Sequence, residues 1–87
     1  MYTLDQLAHF DRCLFPGTFR DELLSAGMQE GDALLIMWWI MQQRHLDRPV
    51  GIVNIYQEYV CTCVDAEVAE HTRQVLDKVL ANFFAKI

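Results

Sequence analysis

Positive charge is scarce in this sequence. Seven Lys and Arg residues stand against twelve Asp and Glu residues, and the formal net charge at pH 7 is −5. Proteins that bind nucleic acids depend mainly on Lys and Arg side chains, which neutralise the phosphates. The composition therefore argues against a dedicated binder of the phosphate backbone, and we expect an acidic surface.

Sequence motifs of enzyme chemistry are also lacking. The four glycines are scattered at positions 17, 27, 31 and 51 and form neither a P-loop nor a dinucleotide-binding pattern. No convincing pair of a Ser or Cys nucleophile with a His base is present, and no pair of carboxylates suggests acid-base chemistry. We expect that the protein is not an enzyme and needs no cofactor.

Cysteine occurs only three times, as Cys13, Cys61 and Cys63. An odd number of cysteines, two of them only two positions apart, makes a disulfide framework an unfavourable interpretation. Three thiolates and one imidazole can bind zinc, but structural zinc sites usually show two pairs of closely spaced ligands. The sequence predicts reduced thiols and no metal site, as is typical of the cytoplasm.

No apolar run in the sequence is long enough to cross a bilayer. The longest covers residues 33–41 and reads Ala-Leu-Leu-Ile-Met-Trp-Trp-Ile-Met, whereas a transmembrane helix needs about 20 apolar residues. The first residues, Met-Tyr-Thr-Leu-Asp-Gln, lack the basic and apolar segments of a secretory signal. We expect a cytoplasmic protein without membrane contact.

The same run is the most informative feature that is present. Glu30 and Asp32 precede it, and Arg44, His45 and Arg48 follow it, a charge order that suits the dipole of a helix. Ala, Leu, Met and Gln dominate, and β-branched residues are few. The pattern predicts a helix over residues 32–45. Because this helix is apolar on every side, we expect it to be buried at the centre of the fold.

Two shorter helices are predicted before this run. Thr3 and Gln6 have the spacing of a capping box, so a first helix should begin there and end near residue 14, before Pro16 and Gly17. Thr18 is the candidate cap of a second helix of about two turns. Gly27 can adopt the left-handed conformation that ends such a helix.

The segment at residues 50–60 has a mixed pattern. Pro49 suits the first position of a helix. Ile52, Val53, Tyr56 and Val60 would share one helical face, with Ile55 and Tyr59 beside it. The segment is also rich in residues that favour strands, so a strand or hairpin is the alternative. Since no partner strand is evident, we favour a fourth helix.

The C-terminal segment, residues 64–87, is predicted as the longest helix. Its apolar stripe consists of Val64, Val68, Val75, Leu76, Val79, Leu80, Phe83, Phe84 and Ile87. The sequence as a whole thus predicts one domain over residues 1–87. Its fold class is all-α, a compact bundle of four or five helices around the central apolar helix.

The apolar content indicates a protein-protein interaction. Apolar residues make up 53% of a chain of 87 residues, which is more than a monomer of this size readily buries. We therefore expect a homodimer or an obligate protein partner, and a function as an adaptor, inhibitor or chaperone-like regulator that covers another protein's surface. The expected contact residues are large apolar side chains: Met37, Trp38, Trp39, Met41, Phe83 and Phe84.

A dimeric helix-turn-helix regulator of transcription is the alternative function. Residues 50–60 would form its supporting helix, residues 61–64 its turn, and the last helix its recognition element. Glu67 and Glu70 would then meet the phosphates with like charge, and only His71, Thr72 and Arg73 are residue types that commonly contact DNA. Nucleic acid is therefore the less favoured partner.

Overall fold

A computed structural model describes residues 2–15, 17–63 and 65–85 of the chain. Within these residues the chain forms five helical segments and no strand. The all-α prediction is confirmed, and the alternative of a strand or hairpin at residues 50–60 is wrong. The segments are α1 at Leu4–Leu14, α2 at Phe19–Ser25, α3 at Glu30–His45, α4 at residues 52–62 and α5 at Ala66–Ala85.

Helix α1 begins with the predicted capping box. The backbone N–H of Gln6 donates to the Thr3 hydroxyl at 3.1 Å, and the Thr3 N–H donates to Oε1 of Gln6 at 2.8 Å. The helix ends at Leu14, as predicted, and Pro16 lies outside the described residues. Phe10, on its inner face, is fully buried and makes an edge-to-face contact with Phe19 of α2.

Helix α2 ends in a Schellman motif built on Gly27. This glycine has φ of +102°, the Gly27 N–H donates to the Leu24 carbonyl, and the Met28 N–H donates to the Leu23 carbonyl. The predicted end of the helix is thereby confirmed. Its start differs in detail, because the Thr18 side chain makes no capping hydrogen bond.

Helix α3 begins at Glu30, two residues before the predicted start. Ala33, Ile36, Ile40 and Gln43, spaced three or four residues apart, are buried on one side of it. The opposite side faces solvent, so the expectation that this helix is buried on every side is wrong for a single chain. The physical reason is size, because the other four segments of so short a chain cover only part of the helix.

Segment α4 is an irregular helix. It is an α-helix at Ile52–Asn54, a π-helix at Ile55–Tyr59 and a 3₁₀-helix at Val60–Thr62. It begins three residues after Pro49, not at that proline. In the π-helical part the Val60 N–H donates to the Ile55 carbonyl, so residues five apart stack on each other.

The π-helical turn changes which α4 side chains reach the core. Ile52, Ile55 and Val60 are fully or almost fully buried, whereas Val53 and Tyr56 of the predicted face are only half-buried. In a regular helix of 3.6 residues per turn, residues five apart lie about 140° apart around the axis, and the π-helical turn brings Ile55 and Val60 closer together. The predicted inner face of α4 is therefore partly wrong.

Most of the predicted apolar stripe of helix α5 packs against the core. Val75, Leu76, Val79 and Leu80 are buried, but Val68 is exposed. Thr72 is also buried, and its hydroxyl donates to the Val68 carbonyl at 2.8 Å, which satisfies a polar group in an apolar setting. The predicted positions Val64 and Ile87 lie outside the described residues.

Candidate protein-interaction surface

The solvent side of α3 carries a row of large apolar side chains. Leu34, Trp38 and Met41 follow one another at intervals of four and three residues and therefore lie on one face of the helix, and Leu35 lies beside them. Their exposed fractions are 64% for Leu34, 56% for Leu35, 60% for Trp38 and 67% for Met41. We call these four residues the α3 apolar face.

The α3 apolar face includes a shallow depression of about 420 Å³. Leu34, Leu35 and Trp38 line it, so its walls are apolar. A concave apolar surface next to a protruding aromatic ring can accept an apolar side chain of another protein.

Opposite charges flank the two ends of this face. Glu30 lies in the first turn of α3, and Arg44 and His45 lie in its last turn. Each is exposed, and within the described part of the chain neither Glu30 nor Arg44 has an ion-pair partner. The charges suit the helix dipole and are also available for contact with another molecule.

Two of the predicted contact residues, Trp38 and Met41, belong to the α3 apolar face, and two others on the same helix turn inward. Met37 and Trp39 are half-buried and pack against the core. The indole of Trp39 meets the Tyr59 ring of α4 edge to face, at 5.7 Å between centroids. The adjacent tryptophans therefore differ: Trp39 joins α3 to α4, and Trp38 faces solvent.

The remaining two predicted contact residues lie in an aromatic cluster at the end of α5. Phe83 makes an edge-to-face contact with Phe10 at 5.2 Å, and Phe84 stacks on Tyr2 at 4.8 Å. Both rings are half-buried, so packing within the chain already accounts for much of their surface. A role for Phe83 and Phe84 in binding a partner stays a prediction.

Sequence reasoning missed Leu34 and Leu35 as contact residues. Both belong to the same apolar run as the tryptophans, so composition alone does not distinguish them. Leu34, Trp38 and Met41 do repeat at the alternating spacing of four and three residues found where one helix packs along another, but an unbroken apolar run contains this spacing on every face, so the spacing could not single them out.

A second hollow, of about 330 Å³, lies between Tyr2, Leu7, Tyr56, Asp77 and Leu80. At its edge the Tyr56 hydroxyl donates a hydrogen bond to the Asp77 carboxylate at 2.5 Å. Burial, this hydrogen bond and the negative charge of Asp77 all raise the pKa of Tyr56 far above its usual value. The hydroxyl therefore stays protonated at physiological pH and ties α4 to α5.

Cys13, Cys61 and Cys63 are separate thiols. Cys61 and Cys63 direct their thiols to the carbonyls of Tyr56 and Tyr59, and burial raises the pKa of Cys63. Cys13 lies 3.7 Å from Nε2 of His9, one turn away on α1. Among the described residues no group of three or more His, Cys, Asp or Glu side chains is placed to hold a metal ion.

Comparisons with models of protein families, with curated proteins and with solved structures find no significant match to this chain. Among the described helices, none combines the length and apolar character that crossing a membrane requires.

Proposed function

We propose that this chain is a small protein-interaction module of the cytoplasm, which binds another protein chain through the α3 apolar face. An adaptor, an inhibitor and a chaperone-like regulator all work in this way, by covering a surface of their partner. The observation that carries the proposal is the side-by-side exposure of Leu34, Leu35, Trp38 and Met41 on one helix.

The size of the α3 apolar face supports this proposal. Four large side chains that are each more than half exposed leave roughly 500 Å² of apolar surface, near the upper end of the largest patch on a typical monomer. Patches of this size are often functional, because leaving them in water is unfavourable by about 25 cal/mol per Å². Trp38 stands at the centre, and Trp is the residue type most enriched at energetic hot spots of interfaces.

Affinity capture from the native host tests the proposal with one variant and one matched control. Leu34→Glu places a charge inside the α3 apolar face, whereas Leu4→Glu places the same charge at another exposed leucine, on α1. Circular dichroism first confirms that both variants are folded. We expect the unmodified chain and Leu4→Glu to retain the same protein, and Leu34→Glu to lose it.

The salt dependence of that capture distinguishes the proposed protein partner from nucleic acid. An apolar interface changes little between about 50 and 200 mM salt, whereas contacts with phosphates weaken by orders of magnitude over this range. The proposal would be contradicted if the chain captured nucleic acid, if higher salt released that nucleic acid, and if Leu34→Glu captured the same amount. That result would favour the helix-turn-helix alternative instead.

A further inference from the structure

We infer that the chain which covers the α3 apolar face is a second copy of this protein, with the two α3 helices antiparallel about a twofold axis near Trp38. The inference rests on the proposed function, because it names the occupant of the same surface. It makes the interface isologous, so that each copy presents the same residues to the other.

The spacing of side chains on α3 suits contact with another helix along its whole length. Gly31, Leu34, Trp38, Met41 and His45 follow one another at intervals of three, four, three and four residues. This alternation is the seam along which two helices pack. Trp38 lies next to the midpoint of the 16-residue helix, so a twofold axis there brings nearly all of both seams together.

The charges at the ends of α3 favour the antiparallel arrangement. Glu30 and Arg44 are fourteen residues apart, which is two heptads, so they lie on the same edge of the seam. About 21 Å of helix separates them, and they cannot pair within one chain. In an antiparallel pair, Glu30 of each copy comes opposite Arg44 of the other. A parallel pair would place like charges at the same end of the interface and would form neither of these Glu–Arg contacts.

Gly31 supplies an independent observation. It lies inside α3, where glycine is less favourable than alanine, and its position does not require a positive φ. Among the described residues, no atom lies within 4 Å of a Cβ built on Gly31, so the contacts seen within one chain do not require a glycine there. Close approach of a second helix end would require it. In the antiparallel pair, the bulky side chain of His45 from the second copy lies opposite Gly31.

The available area also suits a pair of identical chains. A stable protein interface buries roughly 800 Å² on each partner. The α3 apolar face provides roughly 500 Å² of apolar surface for its centre. The exposed polar residues along the same helix side, among them Glu30, Gln42 and Arg44, provide a rim.

Sedimentation equilibrium of the purified full chain, with a charge-reversal cycle, tests this inference. The variants are Glu30→Arg, Arg44→Glu and the two combined, and each copy in a dimer carries every change. Both changes also oppose the α3 dipole. Glu67→Arg is therefore the control, because it reverses an exposed acidic residue in the first turn of a different helix, α5. Circular dichroism checks the fold of each variant.

We expect the unmodified chain to sediment at twice the mass of 10.1 kDa at micromolar concentration. Each single reversal should raise the dissociation constant of the dimer roughly three- to tenfold, because two symmetric contacts are lost. The combined variant should return to within about twofold of the unmodified chain, and Glu67→Arg should leave the constant unchanged. Leu34→Glu should weaken the dimer more than about 100-fold, since it buries a charge.

A chain that remains monomeric up to about 200 μM would overturn the inference. A combined variant whose dimer is weakened by the sum of the two single effects, with no recovery of affinity, would overturn it as well. A monomer that still captures a different protein, and loses it with Leu34→Glu, would overturn the inference but support the proposed function. A dimer that Leu34→Glu leaves intact would contradict the antiparallel α3 pair.

Discussion

The carboxylate of Asp11 occupies the space that a side chain at position 51 would need. A Cβ built on Gly51 would lie 2.5 Å from Oδ2 of Asp11, well inside van der Waals contact. The same carboxylate accepts a hydrogen bond from the Ile52 N–H at 2.9 Å through Oδ1. One side chain of α1 therefore fixes the start of α4, forty-one positions further along the chain.

Replacing Gly51 with alanine should destabilise the fold by about 1–3 kcal/mol, through overpacking and the resulting loss of a hydrogen bond. Gly51 has φ of −167°, an extended conformation that alanine adopts freely, so backbone strain does not contribute. The new methyl group would push the Asp11 carboxylate away from the Ile52 N–H. Urea unfolding monitored by circular dichroism measures the loss in free energy of unfolding.

A double-mutant cycle with Asp11→Ala isolates this contact. Asp11→Ala leaves the Ile52 N–H without its acceptor and should cost about 1–3 kcal/mol by itself. Once the carboxylate is gone, Gly51→Ala should add little further loss, giving a coupling of about 1 kcal/mol or more. Strictly additive losses would show that the two residues do not interact as described.

Asp11→Asn should change how stability depends on pH. Burial raises the pKa of Asp11 above its ordinary value of 3.8, and this effect outweighs the hydrogen bond from Ile52 and the charge of Arg12, which lower it. A carboxyl that holds its proton more tightly in the folded state contributes stability at low pH. That stability is lost as the pH rises from 3.8, the ordinary pKa, through the raised pKa of Asp11 in the folded protein.

Asparagine keeps a side-chain oxygen for the Ile52 N–H but does not ionise. The free energy of unfolding of Asp11→Asn, relative to the unmodified chain, should therefore increase as the pH rises from about 3 to about 6. Paired urea titrations at several pH values measure this difference. A difference that falls over the same range would show that the pKa of Asp11 is lowered in the folded protein.

Asp47→Gly should stabilise the protein by about 1 kcal/mol. Asp47 follows the last turn of α3 with φ of +54°, and the Arg48 N–H beside it donates to the Gln43 carbonyl in the pattern of a Schellman motif. Glycine adopts this left-handed conformation without the steric cost of a Cβ, and the change also removes a negative charge from the negative end of the helix.

Thermal unfolding measures this gain, which corresponds to a rise of roughly 4–8 °C in Tm for a domain of this size. Asp47→Val is the opposing control, because a β-branched side chain tolerates positive φ poorly and should lower Tm. A lower Tm for Asp47→Gly would show that the aspartate side chain contributes more than its backbone strain costs.

Replacing the adjacent Trp38 and Trp39 one at a time should give very different losses of stability. Trp39→Ala should cost about 2–4 kcal/mol, because the ring packs against the core and Tyr59. Trp38→Ala, measured on dilute monomer, should change stability by no more than about 0.5 kcal/mol, since its ring is mainly in water. Equal losses in urea unfolding would contradict the placement of the two rings.

The sequence predicted well those features that local residues determine. The capping box needs only Thr3 and Gln6, and the end of α2 needs a glycine at position 27, so both could be identified from spacing. The stripe of α5 was also evident, because Val75, Leu76, Val79 and Leu80 repeat with helical period.

Features that depend on tertiary packing could not be predicted in this way. Nine consecutive apolar residues carry no periodicity, so the sequence could not indicate that Ile36 and Ile40 face the core while Leu34 and Trp38 face solvent. The π-helical turn of α4 has no local signature either. It accompanies the anchoring of Ile52 by Asp11 of α1 and the burial of Ile55 in the core.

Photo-crosslinking from position 38 in living cells of the native host tests most directly whether a protein covers the α3 apolar face. Benzoylphenylalanine replaces Trp38 with a photoreactive aromatic side chain of similar character, and the same substitution at Leu4 is the control. Irradiation should yield a discrete protein-protein adduct from position 38 and none from position 4. No adduct from position 38, or an equal yield from both positions, would contradict the central claim.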